Sequence, residues 1–251
     1  MNQKQKAEQF AGLHVKGTPV VLYNAWDAGS AKAIADSGAR AIATSSWSVA
    51  EAQGYRDGES IPLAFVEQII GRIAATVEAP VTLDFEGGYS ESEEGLAKNI
   101  ARLLDLGIVG VNFEDRVVSG KGLYAAGRQA SRIASLRKVA DQKGIPLFIN
   151  ARSDVFFQEG APHQFIDDAL ARAKAYAAAG ASGFFGPGLL DEGLIGRLSK
   201  AVSLPVNVMV MDGVPSNGRL VALGVARISY GPIPYVEAMN ALKKEAERVQ
   251  A

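Results

Sequence analysis

Acidic side chains cluster where β-branched runs of the sequence end. Asp84 and Glu86 close one such run, Glu114 closes the next, and Asp57 lies in the loop after an earlier one. Residues i and i+2 of a strand face the same side, so we expect Asp84 and Glu86 to point together. Carboxylates this close repel each other, and a divalent ion that prefers oxygen ligands, Mg²⁺ or Mn²⁺, relieves the repulsion. The set therefore predicts a metal site, although any one of these acids alone would more often cap a helix or pair with an arginine.

A basic side chain, like these acids, lies near the end of a β-branched run. Arg152 lies near the end of the fifth β-branched run, and its planar guanidinium suits bidentate contact with a carboxylate or a phosphonate. We therefore take Arg152 as the candidate anion-binding residue of the same site.

The elements that must position these groups are eight short β-branched runs, most of them followed by a stretch of helical periodicity. The runs are Pro19–Trp26, Ala41–Trp47, Val81–Glu86, Gly110–Asp115, Leu147–Asp154, Gly183–Pro187, Pro205–Val210 and Val225–Tyr230. Parallel strands need crossovers of about a dozen residues or more, and eight such units close naturally into a (β/α)8 barrel. An open, doubly wound sheet is the competing architecture. Because no domain-sized linker interrupts the repeats, we expect residues 1–251 to form one α/β TIM-barrel domain with an added N-terminal helix.

One segment has no clear periodicity. Residues Arg116–Gly127 carry three glycines and directly follow the fourth run. Irregular loops of this length in a compact domain tend to be functional, and in a barrel this one would lie at the mouth where active sites are built. We expect it to be an active-site lid.

Composition excludes several classes of partner. The chain has 26 Lys+Arg against 27 Asp+Glu, 8% aromatic residues and no cysteine. A net charge of −1 offers no basic field for nucleic acid or an anionic membrane, and no apolar run approaches the roughly 20 residues that span a bilayer. The polar N-terminus lacks a signal-peptide core. We expect a cytoplasmic protein without disulfides, thiolate metal ligands or thiol nucleophiles.

Six short stretches, in order and at specific spacing, carry a family resemblance over nearly the whole chain. They are Asn24–Ala31, Ser45–Ser48, Gly54–Asp57, Asp84–Tyr89, Gly110–Asp115 and Ile149–Asp154. With them the chain resembles the isocitrate lyase/phosphoenolpyruvate mutase superfamily. The resemblance implies a (β/α)8 barrel that binds Mg²⁺ together with an α-oxo-carboxylate or its enolate.

The resemblance also implies roles for acids at the barrel mouth. Asp84 and Glu86 look like the metal-site acids, with Glu86 where many members have Asp. Glu114 looks like a third acid that acts through metal-bound water. Asp57 looks like the acid beside the reacting end of the substrate.

A substrate-binding set is implied in the same way. Ser45, Ser46 and Trp47 look like the turn whose backbone N–H groups hold the substrate carboxylate, and Arg152 looks like the cation that contacts the same anion. Backbone donors and a guanidinium would form a preorganised anion site.

The chain departs from the family pattern at its proton-transfer groups. The lyases carry a Lys-Lys-Cys-Gly-His run after the fourth strand, where this chain has Ser119–Tyr124. Tyr124 is a candidate proton donor there, although a loop tyrosine more often packs or forms part of a lid. The mutases carry a histidine near the end of strand six, where this chain has Phe184–Gly188. We expect its two histidines, His14 and His163, at surface or capping positions.

These observations predict a Mg²⁺-dependent enzyme that makes or breaks a C–C or P–C bond of a small α-oxo acid through an enolate-like state. Oxaloacetate decarboxylation or hydrolysis, and a non-catalytic oxo-acid-binding barrel, remain as alternatives. A sugar-phosphate barrel is the rival class, but none of the eight runs contains a Schiff-base lysine. The amphipathic segment Tyr235–Arg248 is expected to cover the barrel, and the protein to be a homodimer or homotetramer.

Overall fold

The computed structural model describes residues 1–250, and eight parallel strands dominate this part of the chain. The strands are β1 (Val20–Leu22), β2 (Ile42–Ala43), β3 (Val81–Asp84), β4 (Gly110–Glu114), β5 (Phe148–Arg152), β6 (Gly183–Phe185), β7 (Val206–Met209) and β8 (Arg227–Ser229). The helices are α1 (Gln3–Gly12), α2 (Ala28–Asp36), α3 (Ser46–Ala52), α4 (Leu63–Thr76), α5 (Glu93–Asp105), α6 (Ala126–Gln142), α7 (Ile166–Ala178), α8 (Glu192–Ala201), α9 (Asn217–Ala222) and α10 (Ile233–Gln250). Each of the eight predicted runs contains one strand.

The strands form one sheet that closes on itself. Their order is β1-β8-β7-β6-β5-β4-β3-β2, and all seven neighbouring pairs in this order are parallel. The remaining seam, between β1 and β2, is bridged at Ala25 and Thr44. There the Ala25 N–H donates to the Ala43 carbonyl at 2.7 Å, and the Ser45 N–H donates to the Ala25 carbonyl at 3.3 Å. The fold is a (β/α)8 TIM barrel, as predicted.

Local sequence explains where the helices begin and end. The residues predicted as a helix between the third and fourth runs form α5, whose Leu96, Ile100, Leu103 and Leu104 are buried. The Ser92 hydroxyl accepts a hydrogen bond from the Gly95 N–H and caps the helix start. These apolar side chains recur at helical spacing, so the helix packs one face against the sheet.

The amino-terminal end of the barrel is closed by α1. Its Phe10 is buried and lies edge-on to Phe148 of β5, with ring centroids 5.4 Å apart. His14 stacks on the same Phe148 ring at 3.8 Å and is only 7% exposed. The expectation of a surface or capping His14 is therefore wrong, because the chain beyond α1 folds under the barrel. His163 is exposed in a short 3-10 turn, Pro162–Gln164, as expected.

The sequence predicts that the last helix covers the barrel, and this prediction is wrong. Among the residues of α10 only Pro234 is buried, and Val236 and Leu242 are 40% and 63% exposed. On the outer face of β1, Val21 is 47% exposed. The helix starts at the mouth and extends away from the sheet, which leaves this part of the barrel wall uncovered. No helix within residues 1–250 is long and apolar enough to cross a membrane.

Candidate active site

A cavity of about 740 Å³ opens at the carboxyl ends of the strands. Its polar lining includes Asn24, Ser45, Ser46, Asp57, Asp84, Asn112, Arg116, Arg152, Asp154, Glu159 and Ser229. Its apolar lining includes Trp47, Leu123, Phe157, Phe185, Met209 and Pro232. This is the edge where (β/α)8 barrels hold their active sites.

Ser46 joins two of the predicted acids. Its N–H donates to Oδ2 of Asp84 at 3.2 Å, and its Oγ lies 3.0 Å from the same oxygen and 3.2 Å from Oδ1 of Asp57. Burial raises the pKa of Asp57, and the Asp84 charge adds to the effect. The structure therefore brings Asp57 and Asp84 together at the cavity surface, with one hydroxyl between them.

The serine turn itself begins α3. Ser45 caps the helix by accepting from the Ser48 N–H, and its own N–H is engaged with Ala25 across the seam. The Ser46 N–H is engaged with Asp84. Two of the three backbone donors assigned to the substrate carboxylate thus already have partners, while Ser45, Ser46 and Trp47 all line the cavity.

Glu86 lies behind Asp84 and outside the main cavity. Because β3 ends at Asp84, strand alternation does not extend to Glu86, whose φ is +51°. Its carboxylate accepts from the Glu59 N–H at 2.9 Å and from the Tyr89 hydroxyl at 3.0 Å. Burial raises the pKa of Glu86 to about 8, and the charges of Asp57 and Asp84 contribute.

A glycine makes this turn feasible. Gly88 has a φ of +89°, and a side chain there would collide with Leu96 and Phe113. Left-handed backbone with no room for a Cβ requires glycine. This accounts physically for one glycine of the stretch from Asp84 to Tyr89.

Arg152 is fixed by two carboxylates. Its Nε and Nη2 donate to Oδ1 and Oδ2 of Asp154 at 2.6 and 2.9 Å, and its Nη1 lies 3.1 Å from Oε2 of Glu114. Burial raises the pKa of Glu114 to about 8; the Arg152 charge opposes this rise, and the charge of Asp154 adds to it. Arg152 and Asp154 line the cavity, whereas Glu114 lies behind Arg152 with 3% of its surface exposed.

Asp115 holds the turn that carries Asp154. Its completely buried carboxylate accepts from the Ser153 hydroxyl at 2.7 Å, the Asp154 N–H at 3.1 Å, Arg172 Nη1 at 3.0 Å and the Tyr176 hydroxyl at 2.7 Å. Burial raises the pKa of Asp115, and the four donors oppose that shift. The network ties the ends of β4 and β5 to α7 and so orients Arg152.

Tyr124 does not line the main cavity. Its N–H donates to the Asp115 carbonyl at 2.8 Å, and its ring packs under Arg132, whose Cζ lies 4.4 Å from the ring centroid. It borders a separate cavity of about 230 Å³ together with Arg132. This placement fits a packing role for Tyr124. Its role as a proton donor stays a prediction.

The loop Arg116–Gly127 folds back on itself at the mouth. Arg116 and Leu123 form an antiparallel bridge, and the Val117 N–H donates to the Gly122 carbonyl at 3.0 Å. Arg116, Gly122 and Leu123 line the cavity. The predicted end of the loop is two residues too late, because Ala126 and Gly127 belong to the first turn of α6. Its position is the one expected of a lid.

A polar layer lies inside the barrel beneath the cavity. Asn112 Oδ1 accepts from Asn150 Nδ2 at 2.9 Å and from Arg227 Nη2 at 3.1 Å, and Asn112 Nδ2 lies 3.5 Å from Asp84. Arg227 is 1% exposed, and neither its Nη1 nor Asn207 Nδ2 has a partner within residues 1–250. Desolvation lowers the pKa of Arg227 to about 9, and Asp84 opposes this. A buried cation therefore lies below the site.

The predicted metal acids fit an ion bound through few direct contacts. No group of three or more His, Cys, Asp or Glu side chains within residues 1–250 is arranged to hold a metal ion directly. Of the three predicted acids, only Asp84 lines the cavity. Mg²⁺ often binds through one or two carboxylates and keeps several waters, and Glu86 and Glu114 are buried next to this position. The donor set fits such an ion, for which Asp84 would be the ligand at the cavity surface.

The fold and this cavity define a (β/α)8 barrel with acidic groups and a held arginine at one mouth. A family model described as phosphoenolpyruvate phosphomutase matches residues 10–250. The chain belongs to this family, within the phosphoenolpyruvate mutase/isocitrate lyase superfamily.

Individual relatives agree with this assignment. A Burkholderia cenocepacia structure provisionally described as a phosphonomutase superposes with a TM-score of 0.95 at 44% identity, covering 98% of this chain and 99% of that one. An uncharacterized Mycobacterium tuberculosis protein is 32% identical over 240 residues, 96% of this chain and 88% of its own. The Escherichia coli 2-methylisocitrate lyase is 26% identical over 253 residues, 96% of this chain and 82% of its own. Family membership supports an enzyme and leaves the reaction open.

Sequence reasoning missed several groups at the site. Asp154 lies two residues after Arg152, but β5 ends at Arg152 and Asp154 begins the following 3-10 turn, so strand alternation would not have predicted their pairing. The sequence places Asp115 among the acids at the end of the fourth run and assigns no role to Arg227. Nothing local predicts their contacts, because the partners of the Asp115 carboxylate lie 38 to 61 residues away and Asn112 lies 115 residues from Arg227.

Proposed function

We propose that this protein is an enzyme that makes or breaks a bond next to the carbonyl of a small α-oxo acid, through an enolate and with Mg²⁺ at Asp84. The observation that carries the proposal is that Asp84, held by Ser46, and Arg152, held by Asp154, face the same cavity. One group would bind a cation and the other a carboxylate. Two charges of opposite sign facing one space suit a ligand with a metal-binding oxo group beside an anion.

The residues would divide the work by position. Arg152 would bind the substrate carboxylate and fix its orientation, with Asp154 and Glu114 limiting the movement of the guanidinium. Mg²⁺, when bound, would supply positive charge to the carbonyl oxygen as electrons move onto it. Asp57, whose pKa is raised by burial, would hold the proton that the enolate carbon needs after the bond breaks. The loop Arg116–Gly127 would close over the cavity and exclude water.

The test is a turnover assay on small oxo acids and phosphonates with Mg²⁺, comparing wild type with Asp84→Ala. We expect the variant to lose Mg²⁺-dependent turnover and to keep its fold by circular dichroism. Asp212→Ala is the matched control, since Asp212 is an exposed acid just after β7 that does not line the cavity. Undiminished turnover in Asp84→Ala would contradict the metal assignment.

A non-catalytic oxo-acid-binding barrel is the second candidate. The chain contains no cysteine, and Tyr124 lies outside the main cavity, so Asp57 is the one cavity-lining group to which we assign proton transfer. Calorimetric binding of oxalate with Mg²⁺, without turnover of any oxo acid or phosphonate in the same panel, would favour this candidate. Oxaloacetate decarboxylation or hydrolysis belongs in that panel.

We also propose that the chain forms a homodimer or homotetramer through α10 and the uncovered face of β1. The exposed apolar residues Val21, Val236 and Leu242 support this surface. Light scattering on the wild type should give at least twice the monomer mass, and Leu242→Glu should lower it. A wild-type mass of 26.4 kDa would contradict the assembly.

A further inference from the structure

The geometry points to a substrate whose second half, beyond the α-oxo acid, is uncharged and apolar, so that the bond at the reacting carbon is a C–C bond. The inference rests on the proposed function, because it takes the α-oxo acid half to be held at Asp84 and Arg152. It concerns the rest of the same cavity.

An apolar wall begins directly beside Arg152. Phe185 of β6 is the register partner of Arg152, and the Arg152 Cζ lies 6.0 Å from the centroid of its ring. Met209 ends β7, and Pro232 follows β8. The wall therefore extends around the β6–β8 side of the mouth, opposite the acids after β2 and β3.

Two further loops continue this wall. Leu123 comes from the loop Arg116–Gly127, and Phe157 ends the 3-10 turn after β5. Phe157 is 49% exposed and lines the cavity, so a ligand that fills the cavity would bury part of its apolar ring. A three-carbon acid would fill only a small share of about 740 Å³, and the space left over is the space these side chains border.

The charges at the cavity disfavour a second anionic group. Four carboxylates and two guanidiniums line the cavity. One of these guanidiniums, that of Arg152, is already paired with Asp154 and Glu114. The other cation, Arg116, is exposed at the rim. A divalent ion would only cancel the excess of acids, so a phosphonate or second carboxylate against Phe185 and the β6–β8 side of the wall would be buried next to Arg152, whose charge is already paired.

An uncharged tail meets no such penalty. It would bury apolar surface against Phe185, Met209 and Leu123, which is favourable in proportion to the area removed from water. For a phenyl or isobutyl group we expect binding about ten- to a hundredfold tighter than for the parent acid.

Calorimetric titration with Mg²⁺ tests this with five probes: oxalate, pyruvate, 4-methyl-2-oxopentanoate, 4-phenyl-2-oxobutanoate and phosphonopyruvate. We expect both apolar-tailed acids to bind at least tenfold more tightly than pyruvate, and phosphonopyruvate to bind more weakly than either. Equal affinities along the series, or tightest binding of phosphonopyruvate, would overturn the inference while oxalate binding still upheld the proposed function. Absence of oxalate binding would overturn both.

Two variants assign the effect to the wall. Phe185→Ala should reduce the advantage of the apolar tail by about tenfold, measured as the ratio of tailed-acid affinity to oxalate affinity in the same variant. Phe165→Ala is the matched control, since Phe165 is partly buried against the core outside the cavity. Because Phe185 is buried, Leu123→Lys serves as the variant that spares the core, and it should weaken tailed acids and strengthen phosphonopyruvate. Retention of the full tail advantage in both variants would refute the assignment.

Discussion

Replacing Asp115 by Asn would test whether the buried network behind the cavity holds Arg152 in place. Asn keeps the size of the side chain and removes its charge. The Arg172 guanidinium would then keep Asp168, the Tyr124 carbonyl and the Tyr176 hydroxyl as partners. The NH₂ group of Asn is itself a hydrogen-bond donor. It would face the four groups that donate to the Asp115 carboxylate in the wild type.

The expected loss follows from these contacts. Breaking a buried ion pair by removing one partner costs about 3–5 kcal/mol. Arg172 retains Asp168, and Asn retains one acceptor oxygen, so we expect the lower end, about 3 kcal/mol. For a chain near 250 residues each kcal/mol shifts Tm by about 2–4 °C, which gives a decrease of about 6–12 °C. Oxalate should also bind more weakly, because the Asp154 N–H loses its anchor.

Urea unfolding and differential scanning calorimetry measure the two quantities, with Asp168→Asn as the control. Asp168 contacts the same guanidinium, but its side chain is 46% exposed, and exposed ion pairs contribute at most about 1 kcal/mol. Equal losses of unfolding free energy in the two variants would refute the argument that burial makes the Asp115 ion pair more stabilising than the Asp168 ion pair. Unchanged oxalate affinity in Asp115→Asn would show that the hydrogen bonds of Asp115 do not determine the orientation of Arg152.

Two other predictions concern the cavity acids and their arginine. Arg152→Lys should raise KM for the oxo acid about ten- to a hundredfold, because one ammonium cannot replace the fork held by Asp154 and Glu114, and an unchanged KM would make the arginine structural. In metal-free buffer, folding raises the pKa of Glu86 from 4.5 to about 8, so its contribution to stability is complete below pH 4.5 and is lost as pH rises through about 8. Glu86→Gln cannot titrate, so its unfolding free energy should fall less than that of the wild type between pH 5.5 and 8.5 in urea titrations, and parallel profiles would contradict the shift.

The barrel could be predicted because its signals are local. Each strand is a short β-branched run, and helices such as α5 show one apolar stripe with a cap. Since carboxyl ends of parallel strands meet at one mouth, the placement of Asp57, Asp84 and Arg152 at one cavity followed from topology alone.

What could not be predicted depends on backbone beyond the strand ends and on distant partners. Glu86 turns away because β3 stops two residues earlier and the chain enters a left-handed conformation. His14 is buried only because α1 folds under Phe148, which lies more than a hundred residues later. The extension of α10 away from the sheet has no counterpart in its amphipathic pattern.

The seam between β1 and β2 has a consequence for the motions of the barrel. Two backbone hydrogen bonds cross it at Ala25, whereas β4 and β5 are in register over five residue pairs. Asn24 reinforces it, since Nδ2 donates to the Thr44 carbonyl at 2.8 Å and Oδ1 accepts from the Gly231 N–H at 3.0 Å. We therefore expect the ring of strands to open more readily at this seam than between β4 and β5. Asn24 also lines the cavity. A ligand that contacts Asn24 would therefore stabilise the contact between β1 and β2 and slow the hydrogen exchange of backbone amides along the seam.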